Sequence, residues 1–264
     1  LDISGEWQYL IGVKCGPMPD PSFVQWRPTG LYNGMIAPIV PYTIKGFVWY
    51  QGESNLKRPE AYGPLFRTLI ADWRKKWSRG NIPFLYVQLP NYSEPVAMPS
   101  ESQWAALREA QRKTLAVPMT GMAVTIDIGE WNDIHSVNKI DVGYRPALAA
   151  RKVVYEDEAA VISDPLFQYA EKKGHRIILH FNHTGGGLVA KDGAELKHFA
   201  IAGADQMFFW VNASIEDDRV AVWHEHIPDL LQVRYAWPII RKALICIIGK
   251  ACLHRHSLRN NRNQ

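Results

Sequence analysis

The chain has 264 residues, 47% hydrophobic and 21% charged, a balance that excludes an intrinsically disordered polymer and allows one large domain or a domain with an appendage. Its apolar runs stop short of the ~20 residues that a membrane-spanning helix needs. The formal charge of +4 hints at nucleic acid, but residues 238–264 hold six cations (Arg241, Lys242, Lys250, Arg255, Arg259, Arg262) and no acid, so the rest of the chain stands at −2. Cys246 and Cys252 lie in that same segment and leave Cys15 alone in the body, which excludes a disulfide framework or a zinc spacing. Leu1-Asp2-Ile3-Ser4-Gly5 has neither a basic region nor an apolar signal core, and no methionine leads it, so a processed or truncated start is expected.

Residues 1–30 carry too many glycines and prolines for a long helix, and short strands and loops are expected there, anchored by Trp7, Tyr9, Phe23 and Trp26. A short helix ended by prolines is expected over Leu31–Pro41, with Asn33 beside Gly34 as turn chemistry or a ligand contact. Gly46 to Tyr50 reads as a strand, and Gln51-Gly52-Glu53-Ser54-Asn55 as the polar cluster at its carboxyl end. Tyr62, Leu65, Phe66, Leu69, Ile70, Trp73 and Trp77 recur at helical spacing, with Asp72, Arg74, Lys75 and Lys76 on the wet face. Pro83–Leu89 is a second strand, Gln103–Leu115 a helix and Gly121–Ile126 a third strand. After a loop from Asp127 to His135, a helix is expected over Lys139–Tyr155. This alternation predicts crossover units and a largely parallel sheet. From about residue 160 the texture changes to short β-like runs at 176–181, 206–211, 219–223 and 232–237, which predict a small antiparallel module.

Read from residue chemistry alone, Gly52-Glu53-Ser54 has the look of a nucleophile loop, with His135 as base and Asp133 or Asp127 orienting it. A loop histidine between a strand's carboxyl end and a helix is well placed to move a proton, although most loop histidines are polar surface. His224-Glu225-His226 offers two imidazoles on one strand face with no third ligand in view, so no metal site is assigned. His254 and His256 lie in the basic tail and carry no assignment.

Trp49-Tyr50-Gln51-Gly52-Glu53-Ser54-Asn55, Leu31-Tyr32-Asn33-Gly34-Met35-Ile36, Asp72-Trp73-Arg74, Leu107-Arg108-Glu109-Ala110-Gln111 and Asp133-Ile134-His135 together resemble the sialate O-acetylesterases, a branch of the SGNH hydrolases. The resemblance runs from residue 1 to about Trp237. It implies a flavodoxin-like parallel α/β sheet and removal of acetyl groups from sugar hydroxyls by serine acyl transfer, with no cofactor, no metal and no nucleic-acid or membrane partner. For the full-length protein it implies a secreted or periplasmic location. In that family the nucleophilic serine sits in an N-terminal Gly-Gln-Ser-Asn block, which this chain lacks, so Ser54 is set aside as nucleophile. Gln51 resembles the oxyanion donor, Gly52 and Asn33 shape the pocket, Glu53 holds the loop or contacts the sugar, and His135 resembles the base. Asp133 is taken as its orienting acid, with a backbone carbonyl as the rival, because Asn132 stands where many family members carry the aspartate.

Three departures matter. Ser136 replaces the family's proline after the histidine and is expected to loosen the loop, and Pro146 is expected to kink or delay the following helix. The missing N-terminal block implies the C-terminal portion of a longer esterase, catalytically inactive as it stands, with exposed sheet edges prone to association. The family continues after Trp237 with alanine-aspartate-asparagine-proline. Here Pro238–Leu244 can be encoded as CCG ATA ATC CGG AAG GCG CTA, and one added G turns those letters into codons for alanine-aspartate-asparagine-proline-glutamate-glycine-alanine. Residues 238–264 are therefore expected to be a frameshift product. The expected organisation is a partial SGNH hydrolase domain over 1–160, a β-rich module over 161–237 and the aberrant tail. The rival reading is a non-catalytic carbohydrate-binding fragment that uses its aromatic side chains.

Overall fold

The computed structural model describes residues 27–94, 96–161, 165–190, 196–225 and 231–237, the backbone of 245–247, and the separate positions 5, 6, 8, 12, 16 and 23. The chain divides into two compact units, Leu1–Thr43 and Ile44–Gln264. Trp7, Tyr9, Trp26 and Cys15 lie outside the described residues, and Phe23 is exposed. In the first unit the helix expected from Leu31 leaves the α form at once: after Leu31 a π-helical turn over Tyr32–Ile36 passes into a 3₁₀ turn over Ala37–Ile39. Pro38 and Pro41 cannot donate to an α-helical ladder, which accounts for the short, irregular turns.

The second unit opens with a parallel sheet of three strands, in the order β1 (Phe47–Trp49), β2 (Phe84–Val87), β3 (Thr120–Ala123). The registers Phe47–Phe84 and Phe84–Thr120 put the three strands' carboxyl ends on one edge. Crossovers run through α1 (Pro59–Trp77) and α2 (Gln103–Lys113), and α3 (Lys139–Tyr155) follows β3. Helix α1 buries Tyr62, Phe66, Ile70 and Trp77. The Phe47 ring lies 5.2 Å from that of Trp73 and 5.0 Å from that of Trp77, which fixes α1 against the first strand. Arg74, expected on the wet face, is buried. Its Nε donates to Ile82 O at 3.0 Å and its Nη2 to Pro118 O at 2.8 Å. The long side chain reaches past the apolar stripe to carbonyls at the strands' entry ends, a use of arginine that helical periodicity does not reveal.

Helices α2 and α3 start on capping side chains, and α1 on Pro59. The Ser102 hydroxyl accepts from Ala105 N at 3.2 Å, and the Asn138 carbonyl oxygen accepts from Asp141 N at 3.2 Å. Pro146 does not delay α3, which begins at Lys139 and runs to Tyr155 with the proline buried.

Beyond residue 165 the strands are antiparallel. One sheet has the order β4 (Leu166–Lys173), β5 (Arg176–Asn182), β10 (Arg219–Trp223), β9 (Asn212–Glu216). A second has the order β11 (Gln232–Tyr235), β7 (Phe199–Ala202), β8 (Phe209–Trp210), and β6 (Leu188–Ala190) pairs with β12 (Ile245–Ile247). Ile177, Leu179, Leu188, Phe199, Ile201, Val220 and Val222 form their common core. The sheets are tied to the crossover after β2: Trp210 Nε1 donates to Ala97 O at 2.8 Å, and Arg234 pairs with Glu101 at 2.7 Å while stacking between Phe208 and Trp237.

Candidate active site

Three loops leave the carboxyl edge of the parallel sheet, where open α/β sheets place their chemistry. The first, after β1, is Tyr50–Asn55. The Gln51 backbone carbonyl accepts from the Tyr62 hydroxyl at 3.0 Å and from Gln111 Nε2 at 3.3 Å, so the main chain is held from two helices. The Gln51 side-chain amide donates from Nε2 to Asn55 Oδ1 at 2.7 Å across the 3₁₀ turn Glu53–Asn55. That bond uses one of the amide's two N–H groups. Gly52 is buried, and a Cβ there would lie 2.9 Å from Leu107 Cδ2 and 3.1 Å from Leu89 Cδ1, which accounts for glycine in this turn. Glu53 is half-buried and Ser54 exposed. Burial, and secondarily the charge of Glu53, raises the pKa of the Tyr50 phenol, so it is a neutral hydrogen-bonding group at physiological pH.

The second loop follows β2. Gln111 reaches from α2 with its Oε1 accepting from Leu89 N at 2.9 Å, and Trp104 Nε1 donates to Pro90 O at 2.6 Å. The sequence reading gave Asn55 and Gln111 no role beyond their motifs. An amide four residues after Gln51, and a glutamine at helical spacing from Trp104 and Leu107, are the signals that could have found them.

The third loop, after β3, carries His135 and is pinned at several points. Gly129 N donates to the Asn91 side chain at 2.8 Å, and Ser93 N donates to Trp131 O at 2.8 Å. A Cβ on Gly129 would sit 2.1 Å from Asn91 O, so no other residue fits without moving the loop. Ser136 is buried, and its hydroxyl donates to Ile128 O at 2.6 Å. The expected loosening at Ser136 is thus answered by a hydroxyl that ties the loop to itself.

His135 presents its ring to solvent, with the side chain 86% exposed and that of Asp133 49% exposed. His135 Nδ1 lies 3.6 Å from Asp133 Oδ1, while the His135 backbone N–H donates to the same oxygen at 2.7 Å. Asp133 therefore turns the backbone and stands close to the ring without a full hydrogen bond to it. Asp127, the other acid considered for orientation, is committed elsewhere: Arg145 grips it through Nη1 at 2.5 Å and Nη2 at 2.8 Å. Among the described residues neither Ser54 nor Gln51 is hydrogen-bonded to His135. Asn33 belongs to the first unit, where its Nδ2 donates to Thr29 Oγ1 at 3.2 Å. His224 follows β10 with its ring 6.1 Å from that of Phe209, and His226, like His254 and His256, lies outside the described residues. Among the described residues no three histidine, cysteine or acidic side chains gather as a metal site, and no helix is long and apolar enough to cross a membrane.

Residues 20–149 match the family model described as carbohydrate esterase, sialic acid-specific acetylesterase. The chain is 35% identical over 233 residues to the sialate O-acetylesterase of Mus musculus, covering 80% of this chain and 42% of that protein. It is 29% identical over 230 residues to the sialate O-acetylesterase of Homo sapiens, covering 78% of this chain and 43% of that protein. Among solved structures, a carbohydrate acetylesterase from Xanthomonas citri is 44% identical and superposes with a TM-score of 0.75 over 79% of this chain and 48% of its own. The chain thus spans less than half the length of the relatives it matches. With a mixed α/β fold, a polar turn after β1 and a histidine loop after β3, it belongs to the sialic acid-specific acetylesterase family of carbohydrate esterases.

Proposed function

We propose that this chain is the C-terminal part of an SGNH-type esterase that removes acetyl groups from sugar hydroxyls, O-acetylated sialic acids among them. The observation that carries the reading is the Gln51 amide, hydrogen-bonded to Asn55 at 2.7 Å at the carboxyl end of β1, in a parallel sheet whose third strand leads into the His135 loop. In this reaction a serine on polypeptide outside residues 1–264 attacks the acetyl carbonyl. His135 takes the serine proton and returns it to the departing sugar oxygen. Gln51 donates its second amide N–H to the oxyanion, and Asp133 orients the histidine loop through the backbone. Gly52 and Glu53 form the wall of the pocket beside the acetyl group. The β strands from Leu166 onward are an accessory module, and the full-length protein works outside the cytoplasm.

The test compares two polypeptides. The 264-residue chain alone is expected to release no acetate from p-nitrophenyl acetate or O-acetylated sialic acid. The product of the longer reading frame, carrying a Gly-Gln-Ser-Asn block, is expected to do so, and to lose roughly two to three orders of magnitude in kcat on Gln51→Ala. Turnover by the 264-residue chain that disappears on Ser54→Ala would return the nucleophile to Ser54. Glycan binding by the longer product, without hydrolysis and unaffected by Gln51→Ala and His135→Ala, would favour a carbohydrate-binding protein instead.

A further inference from the structure

The last turn of α2 carries two cations, Arg112 and Lys113, that share one carboxylate. Arg112 donates to Glu109 through Nε and Nη2, each at 2.7 Å, and Lys113 Nζ stands 3.6 Å from Glu109 Oε1. The three groups together keep one positive charge, and the Lys113 side chain is 65% exposed. Both cations line a cleft of about 400 Å³ whose other walls include Leu115, Leu166, Phe167 and Asn182. That volume lies within the range of about 300–1,000 Å³ that small-molecule sites occupy.

Successive residues of a strand point to opposite faces, yet Leu166 and Phe167, at the start of β4, both border this cleft. The pairing of β4 with β5 slips between Phe167 and Tyr169, so Gln168 is the extra residue of a bulge, a device that re-aims side chains on an edge strand. Phe167 is 40% exposed, and the Phe181 ring meets it edge-on at 6.3 Å. Asn182, opposite Leu166 in the register, is exposed. The cleft lies away from the candidate active site. Trp104 ties the first turn of α2 to Pro90 O after β2, whereas the 3₁₀ turn Thr114–Ala116 at its other end leads into the start of β3. The 11 residues of α2, about 16 Å of helix, stand between the two edges of the sheet.

An exposed aromatic face beside an amide and one uncompensated cation complements a sugar ring that bears a single carboxylate. The ring's C–H face lies on the aromatic, hydroxyls meet the amide, and the carboxylate takes a charge-assisted hydrogen bond from the ammonium. A phosphate dianion would leave one of its charges unmet, and a neutral sugar would leave the ammonium unused. We propose that this cleft is a binding site for a carboxylated sugar, separate from the candidate active site, with Lys113 on the carboxylate, Asn182 on hydroxyls and Phe167 under the ring. No bond is made or broken there. Its use, to hold an acidic glycan on the enzyme that deacetylates it, rests on the function proposed above; the binding itself does not.

The test is a titration of the 264-residue chain, read by saturation-transfer NMR of the ligand, with sialic acid free of O-acetyl groups, glucuronic acid, glucose and inorganic phosphate. The two sugar acids are expected to bind, and glucose and phosphate to bind at least about fivefold more weakly. Lys113→Gln and Phe167→Ala are each expected to raise the Kd of the sugar acids about fivefold, and His135→Ala to leave it unchanged. If Phe167→Ala lowers the melting midpoint, Phe167→Leu replaces it, because leucine keeps the apolar bulk and removes the aromatic face. Binding of glucuronic acid without sialic acid would keep the site and cut its link to the proposed substrate. Sialic acid binding that is lost with His135→Ala and indifferent to Lys113→Gln would place the sugar in the candidate active site and overturn the proposal. Phosphate that binds as tightly as the sugar acids, or no binding of either acid, would overturn it as well.

Discussion

Arg145 holds Asp127 in a two-pronged ion pair whose side chains are 7% and 11% exposed, and the same Nη1 also reaches Val124 O at 2.5 Å. The pair fastens α3 to the exit of β3, so the acid beside the candidate base serves the fold. Removing one partner strands a buried charge, and Asp127→Asn or Arg145→Met is expected to cost about 3–5 kcal/mol in urea unfolding. The double variant is expected to recover part of that loss, which a double-mutant cycle measures directly.

Gln111 joins the ends of β1 and β2 through Gln51 O, Val87 O at 3.4 Å and Leu89 N. Gln111→Met keeps the volume, leaves the Leu89 N–H without its acceptor in the interior and leaves Gln51 O to the Tyr62 hydroxyl alone. A loss of about 2–4 kcal/mol is expected. Hydrogen exchange at the Leu89 amide should accelerate more than at the β3 amides, which localises the damage to the strand ends.

Gly129→Ala should displace the His135 loop, because the new methyl would overlap Asn91 O. The expected destabilisation is about 3 kcal/mol, the upper part of the range for overpacking. In the proposed full-length esterase kcat should fall together with stability, whereas Gly80→Ala, at a glycine with nothing within 4 Å, should move stability through its backbone strain and leave kcat intact. Equal kcat for Gly129→Ala and the parent would detach this loop from the chemistry.

Glu171 sits at the exposed edge of the antiparallel sheet, 2.8 Å from Lys173 Nζ and 3.1 Å from His180 Nε2. The hydrogen bond from Lys173 and then that from His180 lower its pKa below the ordinary 4.5. A depressed carboxylate contributes stability that is present above the unfolded value and is lost as pH falls through the folded one. The difference in melting temperature between the parent and Glu171→Gln should therefore be constant from pH 7 to about 5 and shrink below about 4.5. It should be small throughout, because the pair is solvated and screened.

The parallel core was legible because aromatic bulk and helical period agree along 47–77, and because each strand ends in a burst of polar residues. The antiparallel part was read less fully. Leu166–Lys173 is an exposed edge strand with too little apolar content to announce itself, and Phe199–Ala202 is buried on both faces but only four residues long. At the candidate site, Gln51, Gly52 and His135 drew attention through residue type and position. Gln111, Asn91 and Arg145 are not legible as their partners because they sit on other elements, and Asn55 because a polar residue in a turn does not show which side chain it meets. Arg74 and Arg108 were invisible for the same reason, since a buried arginine and a solvated one look alike in a helical pattern.

Strand β1 stands at the end of the parallel sheet. Among the described residues it pairs with β2 alone, and Val48 is 66% exposed in a sheet whose next strand is fully buried. A strand with an unsatisfied flank and a bare valine can recruit another copy of itself. The folding free energy of this chain is then tied to how much of it is in the tube: melting midpoints should drift upward with protein concentration over a hundredfold dilution series. A value quoted at one dilution would describe an equilibrium among copies rather than a property of one molecule.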